Sequence, residues 1–418
     1  MRTTLRSQDA RKEHDNVSSS DPIAALEIGT SRTVLAAGES LAPGRVKVTA
    51  VAEIPSTGVR KSQIIDIAQA GISVESVLHQ AEEKAGYTIN QALLAVSGPH
   101  ILTKPSTVQL QINGPVVTDE DLAEIYNQSC TADVDVNERT ILDISELGYG
   151  LDAMEGISQP KGMTGSVLRL HTLCIHGDAQ RVADARAAAD ARAKLAISEP
   201  YFAASCAAAA VLGPEARRDG AIAIDIGGGS TGYTAWIDGH LVHANVLGVG
   251  GDHVTNDVSH ALGLSRAQAE QVKKEANAVI GESTGSPRIE VPSSTPGFDA
   301  ASISRRALDT VVNARFHELF AIIRTELDRA GLLHRIHSGV FLTGGASAQK
   351  GIARLAASVF GLPARVGTII PGIEGLESFS HPAAYATIAG LLLAAQRNAG
   401  QESIFAPFKR IFGGIFGK

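Results

Sequence analysis

The strongest constraint on this chain is a local pattern that it carries twice, roughly half a chain apart. The first copy is Ile23-Ala24-Ala25-Leu26-Glu27-Ile28-Gly29-Thr30-Ser31, and the second is Ala221-Ile222-Ala223-Ile224-Asp225-Ile226-Gly227-Gly228-Gly229-Ser230-Thr231. Each opens with an apolar run of strand length, which predicts a buried strand. An acid, an apolar residue, glycine and hydroxyls follow, the makings of a tight turn. Thr33-Val34-Leu35 and Tyr233-Thr234-Ala235-Trp236 then continue outward as second strands. Repetition at this spacing predicts two related lobes. Such a turn also suits phosphate, because glycine lets the backbone come close and successive N–H groups converge on anionic oxygens. An acid at the strand end can hold Mg2+ through the ion's water shell. One copy would be an ordinary hairpin; two copies, each behind a hydrophobic strand, are a pattern with chemistry.

Gly339-Val340-Phe341-Leu342-Thr343-Gly344-Gly345 begins a third strand–turn–helix unit, its helix running through Ile352, Leu355 and Val359. Asp178 to Leu195, rich in alanine and arginine, predicts a helix, and Arg305 to Ala330 a long amphipathic one. Gly281 to Ala300 is rich in Ser, Pro and Gly and predicts a surface loop. The 418 residues are 44% hydrophobic and 19% charged, which is a globular balance. A net charge of -7 argues against a nucleic-acid binder working through a general basic surface. Cys130, Cys174 and Cys206 form no C-x-x-C pair and are expected to be small buried hydrophobes. The polar first 20 residues hold no apolar signal core. The run Ala383 to Ala395 is too short to span a bilayer and predicts a buried helix.

Leu26-Glu27-Ile28-Gly29-Thr30-Ser31 resembles the first phosphate loop of the actin/Hsp70/sugar-kinase superfamily, and Asp225-Ile226-Gly227-Gly228-Gly229-Ser230 resembles its second. Leu342-Thr343-Gly344-Gly345-Ala346-Ser347, with Gly351, is similar to its adenosine motif. Ala269-Glu270 with Lys273 matches the helix that contacts ribose and adenine. The order and spacing imply an α/β, two-lobed actin-like ATPase fold with ATP in the cleft. No G-x-x-x-x-G-K-[ST] P-loop occurs. Within the superfamily the chain resembles the bacterial cell-division family FtsA from about Ile23 to Leu393 and again at its C-terminus. Gly71 to Ala85, Leu93 to Ile101 and Gly250 to Val258 carry that resemblance. Val116-Val117-Thr118-Asp119-Glu120-Asp121, Glu155-Gly156-Ile157 and Leu170 to Ile175 are similar to the family's inserted 1C subdomain. The pilus protein PilM shares that insertion and is the close rival.

The resemblance implies that Glu27 and Asp225 arrange the waters of Mg2+, and that Gly29, Thr30, Ser31, Gly227, Gly228, Gly229 and Ser230 cradle phosphates. It implies that Glu270, Lys273, Gly344 and Gly345 contact the nucleoside. Arg315, with Glu318 beside it, falls on a helix similar to the one that receives the acidic C-terminal peptide of the tubulin-like FtsZ. Three positions depart from the family pattern. Glu27 stands where many relatives carry Asp, and Gly232 where an acid is common. Leu147 and Gly148 fall where a Gln or Glu often positions water. Glu146 is the nearby substitute; without one, hydrolysis should be slow. The implied organisation is an extension over 1–21, subdomain 1A over 22–87 and 179–219, and 1C over 88–178. Subdomain 2A covers 220–246 and 335–395, 2B covers 247–334, and a linker over 396–402 leads to a membrane-targeting helix over 403–418.

In that last segment Phe405, Phe408, Ile411, Phe412, Ile415 and Phe416 fall within an arc of roughly 140° at helical spacing. Lys409, Arg410 and Lys418 are its charges, and no acid follows Glu402. This is the composition of an in-plane anchor for anionic membrane lipids, helical only on lipid because Gly413, Gly414 and Gly417 weaken it in water. The resemblance thus implies a polymerising, ATP-binding protein that ties FtsZ to the cytoplasmic face of the inner membrane at the division site and recruits later division proteins. The alternatives are a PilM-like scaffold of a pilus or secretion apparatus and a small-molecule kinase; for a kinase no catalytic acid of a substrate cleft is evident. A chain ending at Glu402 should lose co-sedimentation with anionic liposomes that the full chain shows. Equal sedimentation of both would make the tail a packed terminal helix.

Overall fold

The computed structural model describes residues 22–132, 135, 137–291 and 301–400. The expected extension over 1–21 and membrane-targeting helix over 403–418 lie outside them. The chain begins with three antiparallel strands, β1 (Ile23–Ile28), β2 (Arg32–Ala42) and β3 (Arg45–Pro55). A small hairpin, β4 (Val59–Arg60) with β5 (Gln63–Ile64), leads to helix α1 (Ile67–Ala85), whose first turn is capped by the Asp66 carboxylate. Strand β6 (Gln91–Val96) then returns parallel to β1. Next come β7 (Leu102–Gln111), α2 (Asp119–Thr131), β8 (Arg139–Leu151), β9 (Met154–Ile157) and β10 (Val167–Asp178). Helix α3 (Ala179–Ala191), β11 (Ala196–Phe202), α4 (Ala203–Val211) and α5 (Pro214–Asp219) complete the first half.

The second half repeats the opening with β12 (Ala221–Ile226), β13 (Thr231–Ile237) and β14 (His240–Leu247). Helices α6 (Gly251–Leu262) and α7 (Arg266–Lys273), the ribbon β15 (Arg288–Val291) with β16 (Ala301–Ser304), and α8 (Arg305–Arg329) follow. The chain closes with β17 (Gly339–Thr343), α9 (Ile352–Phe360), β18 (Ala364–Val366), β19 (Ile373–Glu374) and α10 (Ala386–Gly400). The strand orders are β11-β6-β1-β2-β3-β19 in the first sheet and β14-β13-β12-β17-β18 in the second. Each contains a three-stranded meander flanked by two parallel strands beside its first strand, so the repeated motif does head two related lobes. In each lobe the apolar run is the inner strand: Ala25, Leu26, Ile222 and Ile224 are fully buried.

Sheet membership moves two expected boundaries. The 1C insertion was expected from residue 88, but β6 is hydrogen-bonded to β1 and β11, so it belongs to the first lobe. The insertion is the separate sheet β7-β10-β8-β9 with α2 on it, closed around Leu110, Ile125, Leu151, Leu168 and Leu170. Thr118 and Asp121 cap α2 reciprocally, which explains its start. The stretch 335–395 was expected wholly in the second lobe, but β19 pairs with β3 and α10 packs on β1, β2, β3, β6 and α4. An apolar helix buried all round needs both sheets as cover, and α10 with α4 fills the space between them. α10 also runs to Gly400, into the expected linker. Arg288–Val291 is a strand in a segment expected to be loop.

The crossing of α4 and α10 depends on small side chains. A Cβ on Gly390 would lie 1.8 Å from the Cys206 carbonyl oxygen, and α4 around it is nearly all alanine. Cys206, like Cys130 and Cys174, is buried and free. Gly390→Ala should therefore destabilise the protein by about 1–3 kcal/mol, the range for an overpacked core, read as a lowered melting temperature. Unchanged melting would mean that the helices separate without cost.

Candidate functional site

The two glycine turns face each other across a cavity of ≈ 790 Å³ between the lobes. Every residue expected from the sequence to hold phosphate, nucleoside or metal lines it: Glu27, Gly29, Thr30 and Ser31 from the first turn, Asp225, Gly227, Gly228, Gly229 and Ser230 from the second, Glu270 and Lys273 from α7, and Gly344 and Gly345 after β17. The turns approach closely, and at Gly229 backbone atoms of the Lys61-Ser62 turn leave no room for a Cβ. A Cβ on Gly228 would lie 2.0 Å from Ser31 Oγ, and one on Gly229 would lie 2.3 Å from Thr30 Oγ1. Gly344, at φ 81°, has the Ile226 carbonyl and the Asp225 carboxylate where a Cβ would go. Gly345 instead opens onto free space. The start of α6 steadies the second turn: the Gly251 and Asp252 amides donate to the Gly227 and Gly228 carbonyls at 2.9 Å each.

Glu27 and Asp225 end the inner strands of the two sheets. Desolvation, then the nearby negative charge of Asp225, pushes the Glu27 carboxyl up to about 7, against the pull of Arg32. Desolvation pushes Asp225 up to about 6, although the Thr343 and Thr387 hydroxyls donate to it at 3.3 Å each. Desolvation thus favours the neutral form of both acids, although Arg32 pulls each the other way. That donor set fits Mg2+ held through its waters. Among the described residues no cluster of three His, Cys, Asp or Glu forms a direct metal cage; Mg2+ held by these two acids would keep several of its waters.

At the α7 end of the cleft, Lys273 Nζ donates to Glu270 Oε2 at 2.6 Å and to Thr255 Oγ1 at 2.8 Å, and Thr255 donates to the same carboxylate at 2.5 Å. Partial burial opposes the charge on Glu270, but these hydrogen bonds hold its carboxyl below the ordinary range. Several cleft residues were not anticipated from the sequence: Arg32, Ser62, Ser97, Asp252, Arg266 and Thr387. None lies in a repeated motif. Arg32 donates to Glu53 at 2.7 Å and to the Ala384 carbonyl at 2.5 Å, and stacks over the Tyr385 ring. Asp252 receives Arg266 at 2.8 Å. Its place after Gly250-Gly251 was the one available signal.

Two expected residues lie apart from the cleft. Glu146 is on β8 in the insertion and accepts the Tyr149 hydroxyl at 2.9 Å, so it is not placed to orient water beside a cleft phosphate. Arg315, on α8, is held by Asp257 at 2.6 and 3.1 Å and by Glu318 at 2.6 Å. Phe405, Phe408, Lys409, Arg410, Ile411, Phe412, Ile415 and Phe416 lie outside the described residues. Among the described residues no helix is long and apolar enough to cross a membrane.

Residues 222–390 match the family model for cell division protein FtsA, and residues 98–176 match that for the SHS2 domain inserted in FtsA. The latter begins just after β6, where the sheet topology starts the insertion. The chain is 30% identical over 380 residues to the cell division protein FtsA of Escherichia coli K12, covering 88% of this chain and 89% of that protein. Among solved structures, the PilM–PilN type IV pilus biogenesis complex superposes with a TM-score of 0.63 at 16% identity, covering 90% of this chain and 98% of that one. MreB5 of Spiroplasma citri bound to AMPPNP superposes at 0.51 and 16% identity, covering 94% and 98%. The fold is the actin-like ATPase fold.

The two acids set a pH dependence. Each binds its proton more tightly folded than unfolded, so their effect is least costly below the ordinary carboxylate range near 4 and destabilises as pH rises through about 6 and about 7. Asp225→Asn should therefore make the nucleotide-free protein more stable than its parent at pH 8, by about 1–3 kcal/mol, with the gap closing towards pH 5. Thermal unfolding across that range measures it; a gap independent of pH would contradict the assignment.

Proposed function

The chain belongs to the FtsA family of cell division proteins, and from that premise we propose that it is an ATP-binding, polymerising protein that ties the FtsZ ring to the cytoplasmic membrane. The observation that carries the nucleotide part is the convergence of all the expected phosphate, metal and nucleoside residues on one interlobe cavity. In this reading the backbone amides and hydroxyls of the two turns hold the phosphates. Gly345 leaves room for the nucleoside, and the Glu270–Lys273 pair fixes its ribose. Glu27 and Asp225 bind the waters of Mg2+, which neutralises phosphate charge. MreB5, of the same fold, was solved with AMPPNP.

The cleft lacks a candidate among the expected residues to position water, since Glu146 is bound elsewhere. Slow hydrolysis follows, and ATP acts as an assembly ligand that fixes the lobes in one relative position. Subunits would stack through the lobes and the insertion. The tail over 403–418 would bind anionic lipid weakly as one helix and firmly as many on a polymer. The acidic FtsZ peptide would bind the α8 face, exchanging with Asp257 and Glu318 for Arg315. Later division proteins would join the membrane-bound polymer. The PilM-like scaffold is the second reading, favoured by the superposition alone.

Gly345→Val tests the nucleotide reading, because an added Cβ there meets no atom within 4 Å beyond its chain neighbours. The variant should melt as the parent does without nucleotide, bind ATP at least about tenfold more weakly, and lose ATP-dependent pelleting. Unaltered ATP affinity would remove the nucleoside from this end of the cleft.

A further inference from the structure

The turn joining β4 to β5 lies outside every repeated motif, yet it touches both phosphate loops. Its two central residues, Lys61 and Ser62, have φ of 49° and 58°, a left-handed pair that side-chain-bearing residues rarely adopt. The turn is secured at its base, where the Gly58 carbonyl accepts the Ile65 and Asp66 amides at 2.8 and 3.2 Å. From this position the Ser62 amide donates to Thr30 Oγ1 at 2.8 Å, and the Ser62 hydroxyl donates to Ser230 Oγ at 2.8 Å. The Ser62 and Thr30 hydroxyls are 3.3 Å apart. A Cβ on Gly229 would lie 2.9 Å from the Ser62 nitrogen, so the second loop passes directly against this turn. Ser97, at the end of β6, reaches the same Ser230 hydroxyl at 3.1 Å.

Four hydroxyls from four segments thus satisfy one another where the two phosphate loops meet. Each can donate or accept, so an arriving anionic oxygen can accept a hydrogen bond from the group without leaving a partner stranded. The turn stands at the phosphate-loop end of the cleft. Its Arg60 and Lys61 line a second cavity of ≈ 210 Å³ with Thr30, Gly229, Asp252 and Arg266, and none of Glu270, Lys273, Gly344 or Gly345 does. Resting on the nucleotide reading above, we propose that the Ser62 hydroxyl contacts the terminal phosphate of a bound nucleoside triphosphate and sets the preference of this cleft for triphosphate over diphosphate. Placed on neither phosphate loop but bonded to both, Ser62 makes a contact that only the longer phosphate chain reaches.

The test is equilibrium binding of Mg-ATP and Mg-ADP, each measured on the full chain, Ser62→Ala and Ser62→Gly. Glycine suits the left-handed backbone, so Ser62→Gly removes the hydroxyl while relaxing the turn. Both variants should weaken ATP by roughly tenfold while leaving ADP within about twofold, as loss of one hydrogen bond to a charged group predicts. Equal weakening of both nucleotides, no change in either, or a loss in Ser62→Ala that Ser62→Gly restores would overturn the proposal, the last by assigning the effect to the turn's shape. Binding of neither nucleotide by the parent chain would instead overturn the nucleotide reading itself, and Ser62 with it.

Discussion

Two glycine turns, each closing a strand pair of one lobe, meet where there is room for backbone and hydrogen but for no added methyl. Gly228 lies against Ser31, and Gly229 against Thr30 and the turn that carries Ser62. This close approach brings two rows of amides, two carboxylates and several hydroxyls into one water-accessible cleft. It also explains why the strands behind the turns are so apolar. The turns cannot be positioned to a fraction of an ångström unless β1 and β12 are fixed in buried sheets, and the fully buried Leu26 and Ile224 fix them.

The lobes are joined by packing as well as by chain. Helices α4 and α10 occupy the space between the sheets, and α10 touches four strands of the first sheet although it follows the second in sequence. Any relative motion of the lobes must therefore be accommodated at this small-residue crossing, whose spacing Gly390 sets. The acid pair links that framework to the site. Thr387, on α10, donates to Asp225 at 3.3 Å, so one hydrogen bond ties the central helix to the cleft. A cation bound between Glu27 and Asp225 would offset the cost of their desolvated charges.

The insertion between β6 and β11 folds as its own small sheet and core, and is tied to the first lobe by a polar joint. Arg139 donates to His176 Nδ1 at 2.8 Å and to the His100 carbonyl at 2.8 Å. Burial, chiefly, holds His100 low, at about 4, so this joint keeps a neutral imidazole through the neutral range. Among the described residues the insertion contributes none to the cleft lining: Glu146, which its sequence neighbourhood offered as a water-positioning group, is bonded to Tyr149 within the insertion's own sheet.

What the sequence determined was whatever is written locally. A strand, an acid and a glycine turn are contiguous residues, so both glycine turns, their acids, the Gly344-Gly345 turn and the α7 pair were legible as one cleft, and the duplication of the turns announced two lobes. The limits of the insertion and the placement of α10 were not legible, because an apolar run states that it is buried without stating against which sheet. Ser62 and Ser97 escaped for a related reason. Each meets the second glycine turn only through a long-range register, as when a left-handed turn after β3 is laid against a loop 168 residues further along the chain. Local sequence fixes which groups can do the chemistry; which of them meet is decided by the packing of the two sheets on α4 and α10.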